Sequence, residues 1–185
     1  MNTSPRRIVR EKAALAVIDI QERLLPAMHE RERVVQNALR LVQAAGILKL
    51  PVIVTEQYRK GMGATIPEVA AEIPDVSPIE KLSFSCCGAE AFGAALVTSG
   101  STDVILCGIE AHVCVLQTAL DLLDRGFRAF VVADAVSSRT PANLLVALDR
   151  LRESGAAIVS TEMILFELLD RAGTGEFKQI LPLVK

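Results

Sequence analysis

Several patterns that would assign this 185-residue chain to a membrane, nucleic-acid or nucleotide-binding class are missing. No apolar run reaches the roughly 18 residues that a membrane-spanning helix needs, so we expect no membrane partner. The 20 Lys and Arg residues are balanced by 22 Asp and Glu residues and are well mixed, so no basic stripe predicts nucleic-acid binding. The first strand-like run is followed by neither a G-x-G-x-x-G nor a G-x-x-x-x-G-K-[ST] pattern, and no phosphate cradle is predicted.

Histidine and cysteine are too few to predict a metal site or a disulfide framework. The chain has two histidines and four cysteines, and it contains no C-x-x-C pair. A structural zinc site needs about four such ligands, and disulfide frameworks belong to short secreted domains. No cleavable apolar core precedes the first strand-like run. We therefore expect a cytoplasmic protein with reduced thiols, no metal and no cofactor.

The chain does contain short apolar runs that alternate with helical patterns. The runs are rich in Val, Ile and Leu without polar alternation, which is typical of strands buried on both faces of a parallel sheet. Five clear runs and a weaker sixth lie at 14–20, 51–55, 103–108, 129–134, 156–160 and 76–82. Helical spacing and capping signals predict helices over about 30–49, 113–126 and 140–155, with Gly126 and Thr140 as caps. The sequence thus predicts a single α/β domain over 1–185, three-layer αβα with a doubly wound, mainly parallel six-stranded sheet of Rossmann-like type.

Such folds bind ligands at the carboxyl ends of their strands, near the point where the strand order reverses. The residues that follow the runs are therefore candidates for a site: Asp19 and Gln21, then Thr55, Glu56 and Gln57, then Lys81, Ser83 and Phe84, and finally the segment "GIEAHVC" (108–114).

Cys114 is the candidate nucleophile. It lies in the predicted first turn of a helix, where backbone N–H groups stabilise a thiolate and would lower the thiol pKa. Cys107, in contrast, lies inside an apolar run and should pack in the core. Asp19 closes an apolar strand and is the candidate base, with Lys81 as its positive partner. On these residues alone, a buried small cysteine, a capping aspartate and a solvated lysine are the open alternatives.

Three separated blocks of the chain resemble the isochorismatase-like cysteine hydrolases, which include nicotinamidases and N-carbamoylsarcosine amidases. The blocks are "AVIDIQ", "EKLSFSCC" and "GIEAHVCVLQTALDLLDRGF", and the resemblance runs from about residue 13 to 160. It implies the isochorismatase-like fold and an acid–lysine–cysteine triad at Asp19, Lys81 and Cys114. It also implies a cis peptide between Ile109 and Glu110, which is expected to turn the Glu110 N–H towards the Cys114 N–H as an oxyanion hole.

The chain departs from that family at positions that concern the substrate. Nicotinamidases carry an Asp-x-His-x-x-x-His metal pattern after the second strand, whereas "TEQYRKGMGAT" has no histidine. Metal binding and nicotinamide therefore lose support, and "GMGATIPEVAAEI" resembles members of unassigned substrate. "AHVC" stands where many members have "TDxC", which places His112 at the pocket rim. The residues predicted to contact a substrate are Gln21, Gln57, Tyr58, Phe84 and His112.

The sequence therefore predicts a cysteine-dependent hydrolase of a small amide, carbamoyl or related C–N compound, acting through a thioester. The alternatives are a catalytically silent oligomeric binding or scaffold protein of the same fold, and an isochorismate-type vinyl-ether hydrolase. A cysteine nucleophile argues for acyl transfer over vinyl-ether cleavage. An apolar fraction of 51% indicates a sizeable interface, and the resemblance implies a homo-oligomer because members of that family commonly form dimers or larger assemblies.

Overall fold

All six strands of the sheet run parallel, in the order β3-β2-β1-β4-β5-β6. The computed structural model describes residues 7–185. Residues 1–6, which the predicted domain 1–185 includes, lie outside the described residues. The strands are β1 (Ala13–Ile18), β2 (Val52–Gln57), β3 (Ile79–Lys81), β4 (Asp103–Ile109), β5 (Arg128–Ser137) and β6 (Ala157–Val159). The order reverses between β1 and β4, so ligand-binding residues are expected at the carboxyl ends of these strands.

Helices cover both faces of the sheet. On one face lie α1 (Arg31–Leu48), α3 (Pro67–Glu72), α7 (Thr161–Leu169) and α8 (Gly175–Ile180). On the other lie α4 (Glu90–Ser99), α5 (Leu116–Asp124) and α6 (Pro141–Glu153). A single turn, α2 (Arg59–Met62), follows β2. The predicted three-layer α/β class is confirmed, and its mainly parallel sheet is wholly parallel.

Strand β1 shows why an unbroken apolar run is required at the centre of the sheet. All six of its residues are buried. Leu15 and Val17 pack with the face that carries α1, while Ala16 and Ile18 pack with the face that carries α4 and α5. Successive side chains of a strand point to opposite faces, so both sets must be apolar when helices cover both.

The carboxyl end of β4 lies unusually close to β1. Gly108 has a φ of 114°, and a Cβ atom built there would lie 2.0 Å from the carbonyl oxygen of Ile18. Only glycine fits this contact. The close approach brings the segment after β4 towards the residue after β1.

The predicted helix 113–126 has a different start in the structure. A π-helical turn, Ala111–Val115, comes first, and α5 begins only at Leu116. The predicted caps at the other helix ends are confirmed: Gly126 follows α5 with a φ of 83°, and the Thr140 hydroxyl accepts a hydrogen bond from the Asn143 N–H at the start of α6. Across residues 7–185, no helix is long and apolar enough to cross a membrane.

Candidate active site

Three strand ends bring the predicted triad together. Asp19 follows β1 and has a left-handed backbone with a φ of 53°. Lys81 is the last residue of β3, and Cys114 lies in the π-helical turn after β4. These side chains belong to one buried group, since the three residues are 0%, 3% and 4% exposed.

The Asp19 carboxylate is held at both oxygens. Its Oδ2 accepts a hydrogen bond from Lys81 Nζ at 2.7 Å, and its Oδ1 accepts one from the Thr55 hydroxyl at 2.7 Å. The Cys114 thiol lies close enough to Asp19 for the charge of the carboxylate to raise the pKa of the thiol. A carboxylate held beside a thiol is the arrangement in which a general base can act.

Lys81 is anchored by several acceptors besides Asp19. Its Nζ donates to Gln57 Oε1 at 2.8 Å and to the Phe84 carbonyl at 3.1 Å. An ammonium has three N–H donors, so Asp19, Gln57 and Phe84 account for them. Burial, the largest single influence, lowers the pKa of Lys81. The charge and hydrogen bond of Asp19, with the charges of Cys86 and Cys114, together outweigh it and raise the pKa above its ordinary value. Lys81 is therefore a fixed positive charge beside the thiol.

The thiol of Cys114 is protonated at rest. Burial, joined by the negative charge of Asp19, raises the pKa of Cys114 to about 12, against the opposing charge of Lys81. The lowered pKa expected from a helix start is therefore wrong. That expectation considered only the backbone N–H groups, whereas burial and a neighbouring carboxylate disfavour the thiolate. Nucleophilic attack consequently needs a base at the moment of reaction.

The other cysteines are in ordinary buried positions. Cys107 is fully buried, its Sγ lies 3.7 Å from the Ala16 carbonyl, and burial raises its pKa to about 12. Its predicted place in the core is confirmed. Cys86 is also fully buried, burial raises its pKa to about 11, and its Sγ lies 3.6 Å from Thr55 Oγ1. All four cysteines, including Cys87, are free thiols.

The residues predicted to contact a substrate fall into different settings. Gln21 is fully buried, and its amide binds backbone atoms of Gln57 and Gly63. Gln57 holds Lys81 and donates to the Leu82 carbonyl at 2.9 Å. These bonds favour a structural role for both glutamines, and their contact with a substrate stays a prediction.

The other three predicted contact residues are less enclosed. Tyr58 and Phe84 are 45% and 53% exposed. His112 is half-buried, with its Nδ1 2.9 Å from the Ser138 hydroxyl and its Nε2 3.4 Å from the Asn143 amide. Substrate contact by these three residues also stays a prediction.

The peptide between Ile109 and Glu110 is cis, as the resemblance implied. The Glu110 carboxylate pairs with Arg139, whose Nε lies 3.1 Å from Oε2. Sequence reasoning missed Arg139. The available signal was its place two residues after the end of β5, since polar residues that follow parallel strands are site candidates. Within the described residues, no group of three or more His, Cys, Asp or Glu side chains is arranged to hold a metal ion.

The isochorismatase domain matches residues 13–163 of the chain. The chain belongs to the isochorismatase family. It is 44% identical over 179 residues to isochorismatase domain-containing protein 2 of Danio rerio, covering 96% of this chain and 89% of the relative. It is 42% identical over 184 residues to the secreted isochorismatase effector Isc1 of Phytophthora sojae, covering 97% and 87%.

Two solved structures share the whole fold. The MAR1 ribonuclease from Caenorhabditis elegans superposes with a TM-score of 0.91 at 36% identity, covering 96% of this chain and 92% of that one. The YcaC product of Escherichia coli, described as an octameric hydrolase of unknown specificity, superposes with a TM-score of 0.90 at 27% identity, covering 98% and 92%. This chain therefore has the fold of the isochorismatase-family hydrolases.

Proposed function

We propose that the protein is a cysteine-dependent hydrolase that cleaves a C–N bond of a small amide, carbamoyl or related compound. Cys114 is the nucleophile, Asp19 the general base and Lys81 the fixed positive charge. The observation that supports this most is the buried ion pair of Asp19 and Lys81 beside the buried thiol of Cys114. A nucleophile next to an oriented base is the arrangement that covalent acyl transfer needs.

Acylation begins with the thiol proton. It passes from Cys114 Sγ to Asp19 as Sγ attacks the carbonyl carbon of the substrate. The tetrahedral intermediate then collapses: the C–N bond breaks, the leaving nitrogen takes the proton from Asp19, and a thioester remains. Transfer of the thiol proton to Asp19 leaves the net charge of the triad unchanged, because one negative charge moves from Asp19 to Cys114. Lys81 then serves as the counter-ion of the thiolate.

Hydrolysis of the thioester reuses the same groups. Asp19 accepts a proton from water, and the hydroxide attacks the thioester carbonyl. The C–S bond then breaks, the carboxylic acid leaves, and Asp19 returns the proton to Cys114 Sγ. The N–H groups of Glu110 and Cys114 are assigned to the oxyanion at both stages, where two such donors stabilise developing charge.

A small substrate fits this site better than a polymer. Asp19, Lys81 and Cys114 are each at most 4% exposed, so a reacting group must reach into the fold. RNA cleavage is the second candidate, because the similar C. elegans protein is described as a ribonuclease. It is less favoured here because the net charge is −2 and a phosphate backbone attracts basic surfaces.

Self-association is proposed from exposed apolar side chains. Leu145 and Val146, adjacent on α6, are 62% and 69% exposed. Large apolar side chains grouped at a surface are typical of interfaces. The similar E. coli protein is described as octameric, which supports a homo-oligomer here.

A cytoplasmic location is also part of the proposal. Four free thiols are typical of a reducing compartment. The similar Phytophthora sojae protein is described as secreted, so fractionation of the producing cells is the deciding measurement. Recovery of the protein in the culture medium would contradict the cytoplasmic assignment.

The test of the catalytic proposal is alkylation of the four cysteines by iodoacetamide, mapped by mass spectrometry, in the native protein and in Asp19→Asn. We expect Cys114 to label faster than the other three, and its labelling rate to change in the Asp19→Asn variant. Turnover of an amide substrate should fall about 10²-fold or more in that variant. Asp134→Asn, at an acid that caps α7 through Thr161, is the matched control and should label normally. Small amides, carbamoyl compounds and an RNA oligonucleotide are then assayed for turnover.

A Cys114 that labels no faster than Cys107 would remove the nucleophile and leave the silent scaffold as the better interpretation. Turnover of RNA alone would select the second candidate. Cys114→Ser should abolish turnover of any amide substrate while leaving the far-ultraviolet circular dichroism spectrum unchanged.

A further inference from the structure

Thr55 lies in β2 with no exposed surface, directly behind the carboxylate of Asp19. Its hydroxyl donates to Asp19 Oδ1 at 2.7 Å. Thr55 pairs with Ile18 of β1 and Ile79 of β3, so its backbone is fixed on both sides by the sheet. The side-chain contacts of its hydroxyl are with Asp19 and Cys86, so any effect on the reaction passes through Asp19.

The two partners of the Asp19 carboxylate differ in what they can accept. Lys81 Nζ is an ammonium and can only donate, so Oδ2 always faces a donor. The Thr55 hydroxyl has one proton and two lone pairs, so it can donate to a carboxylate or accept from a carboxylic acid. Cys86 Sγ, 3.6 Å from Thr55 Oγ1, is a second partner for the hydroxyl when it turns away from Oδ1.

We propose that Thr55 is a positioning residue that holds Asp19 as a carboxylate in the resting site and accommodates it once it carries the Cys114 proton. In the first state Thr55 donates to Oδ1. In the second its hydroxyl rotates, donates to Cys86 Sγ and accepts from a protonated Oδ1. This role deepens the proposed function and rests on Asp19 being the general base.

The pH dependence of Cys114 alkylation reports on the proposed role. Three titratable groups face Asp19: Lys81 from β3, Cys114 from the π-helical turn and, through Thr55, Cys86. Only a deprotonated Asp19 can take the thiol proton, so the labelling rate has a low-pH limb. Removing a hydrogen bond to the carboxylate makes Asp19 take up a proton at higher pH. The limb should then move to higher pH by about one unit.

The experiment measures Cys114 labelling by iodoacetamide between about pH 4 and 9 in three variants, a range that spans carboxylate titration. Thr55→Val removes the hydroxyl and should shift the limb upwards. Thr55→Ser keeps the hydroxyl and should restore the native limb. Thr161→Val is the matched control, because the buried Thr161 hydroxyl also donates to an aspartate, Asp134 Oδ1 at 2.9 Å, away from the triad. The low-pH limb of the Thr161→Val labelling profile should coincide with that of the native protein.

The inference is overturned if the limb of Thr55→Val is native, or if Thr55→Ser shifts as far as Thr55→Val. The added methyl of valine would press on Oδ1, so Thr55→Ala, which leaves space instead, carries the same expectation if the valine variant does not fold. Asp19→Asn separates the two proposals. If it removes the limb while Thr55→Val leaves it in place, only the role of Thr55 fails. If it changes neither rate nor limb, the proposed function fails as well.

Discussion

Lys81 Nζ and Asp19 Oδ2 form an ion pair of 2.7 Å in which neither side chain has any exposed surface. A buried pair is not by itself a stabilising device, because removing two charges from water costs several kcal/mol per ion. Replacing a buried ion pair by apolar side chains of similar volume often leaves the stability of a protein unchanged or raises it. We therefore attribute the pair to chemistry at Cys114 rather than to stability of the fold.

Breaking this pair should destabilise the protein. Lys81→Met leaves the Asp19 charge buried without its partner, and we expect the free energy of unfolding to fall by about 3–5 kcal/mol. Urea denaturation followed by circular dichroism measures it. The double variant Lys81→Met with Asp19→Asn should recover much of the loss. Arg152→Met, which breaks an exposed pair with Asp149, should change little. If Lys81→Met and the double variant lost equal free energy of unfolding, the loss would not come from the unpaired charge of Asp19.

The raised pKa of Cys107 makes stability depend on alkaline pH. Its ordinary value is 9.0 and burial raises it to about 12 in the folded protein. The stabilisation is fully present below pH 9 and is lost as pH rises towards 12, because only the unfolded chain releases this proton there. The loss should be about 1.4 kcal/mol per pH unit.

The measurement compares the native protein with Cys107→Ala by urea denaturation at pH 8 and pH 10. The native protein should lose more stability than the variant between the two values. The comparison cancels lysine and arginine titration, which both proteins share. An identical pH dependence would mean that Cys107 is exposed to solvent in the folded state.

Gly108 should tolerate no side chain. An alanine Cβ would lie 2.0 Å from the Ile18 carbonyl oxygen, between two central strands. We expect Gly108→Ala to cost more than about 4 kcal/mol of unfolding free energy or to prevent folding, and thermal denaturation tests it. Gly126→Ala is the matched control, since Gly126 also has a positive φ but no atom within 4 Å of its Cβ position. It should cost about 1–2 kcal/mol. A mild effect at Gly108 would mean that β1 and β4 can separate there.

The exposed apolar pair on α6 should control assembly. Leu145→Glu with Val146→Glu should lower the mass measured by light scattering on size-exclusion chromatography without loss of helical signal, since charges at an apolar interface oppose association. Val97→Glu, at another exposed apolar position, on α4, is the comparison and locates the interface on α6 if its mass is unchanged. An unaltered mass for the α6 variant would place the interface elsewhere.

Much of the fold could be predicted because strands buried on both faces require runs of apolar residues, which are visible in the sequence. The apolar runs at 103–108 and 129–134 correspond to β4 and β5, and the Thr140 and Gly126 caps are where the capping rules place them. The three-residue β3 gave only a weak signal, since so short a strand has little room for a pattern. The π-helical turn before α5 has no residue signature, so the sequence predicts ordinary helix there.

The sequence by itself determined which chemistry is available: Asp19 after an apolar strand, and Lys81 and Cys114 in blocks that resemble a known family. Only the tertiary structure decided the state of those groups. Cys114 has a raised pKa because distant segments bury it beside Asp19. Thr55 and Lys81 meet Asp19 only because β2 lies next to β1 and β3 lies next to β2. Electrostatics depends on distance and burial in three dimensions, and neither is a property of spacing along the chain.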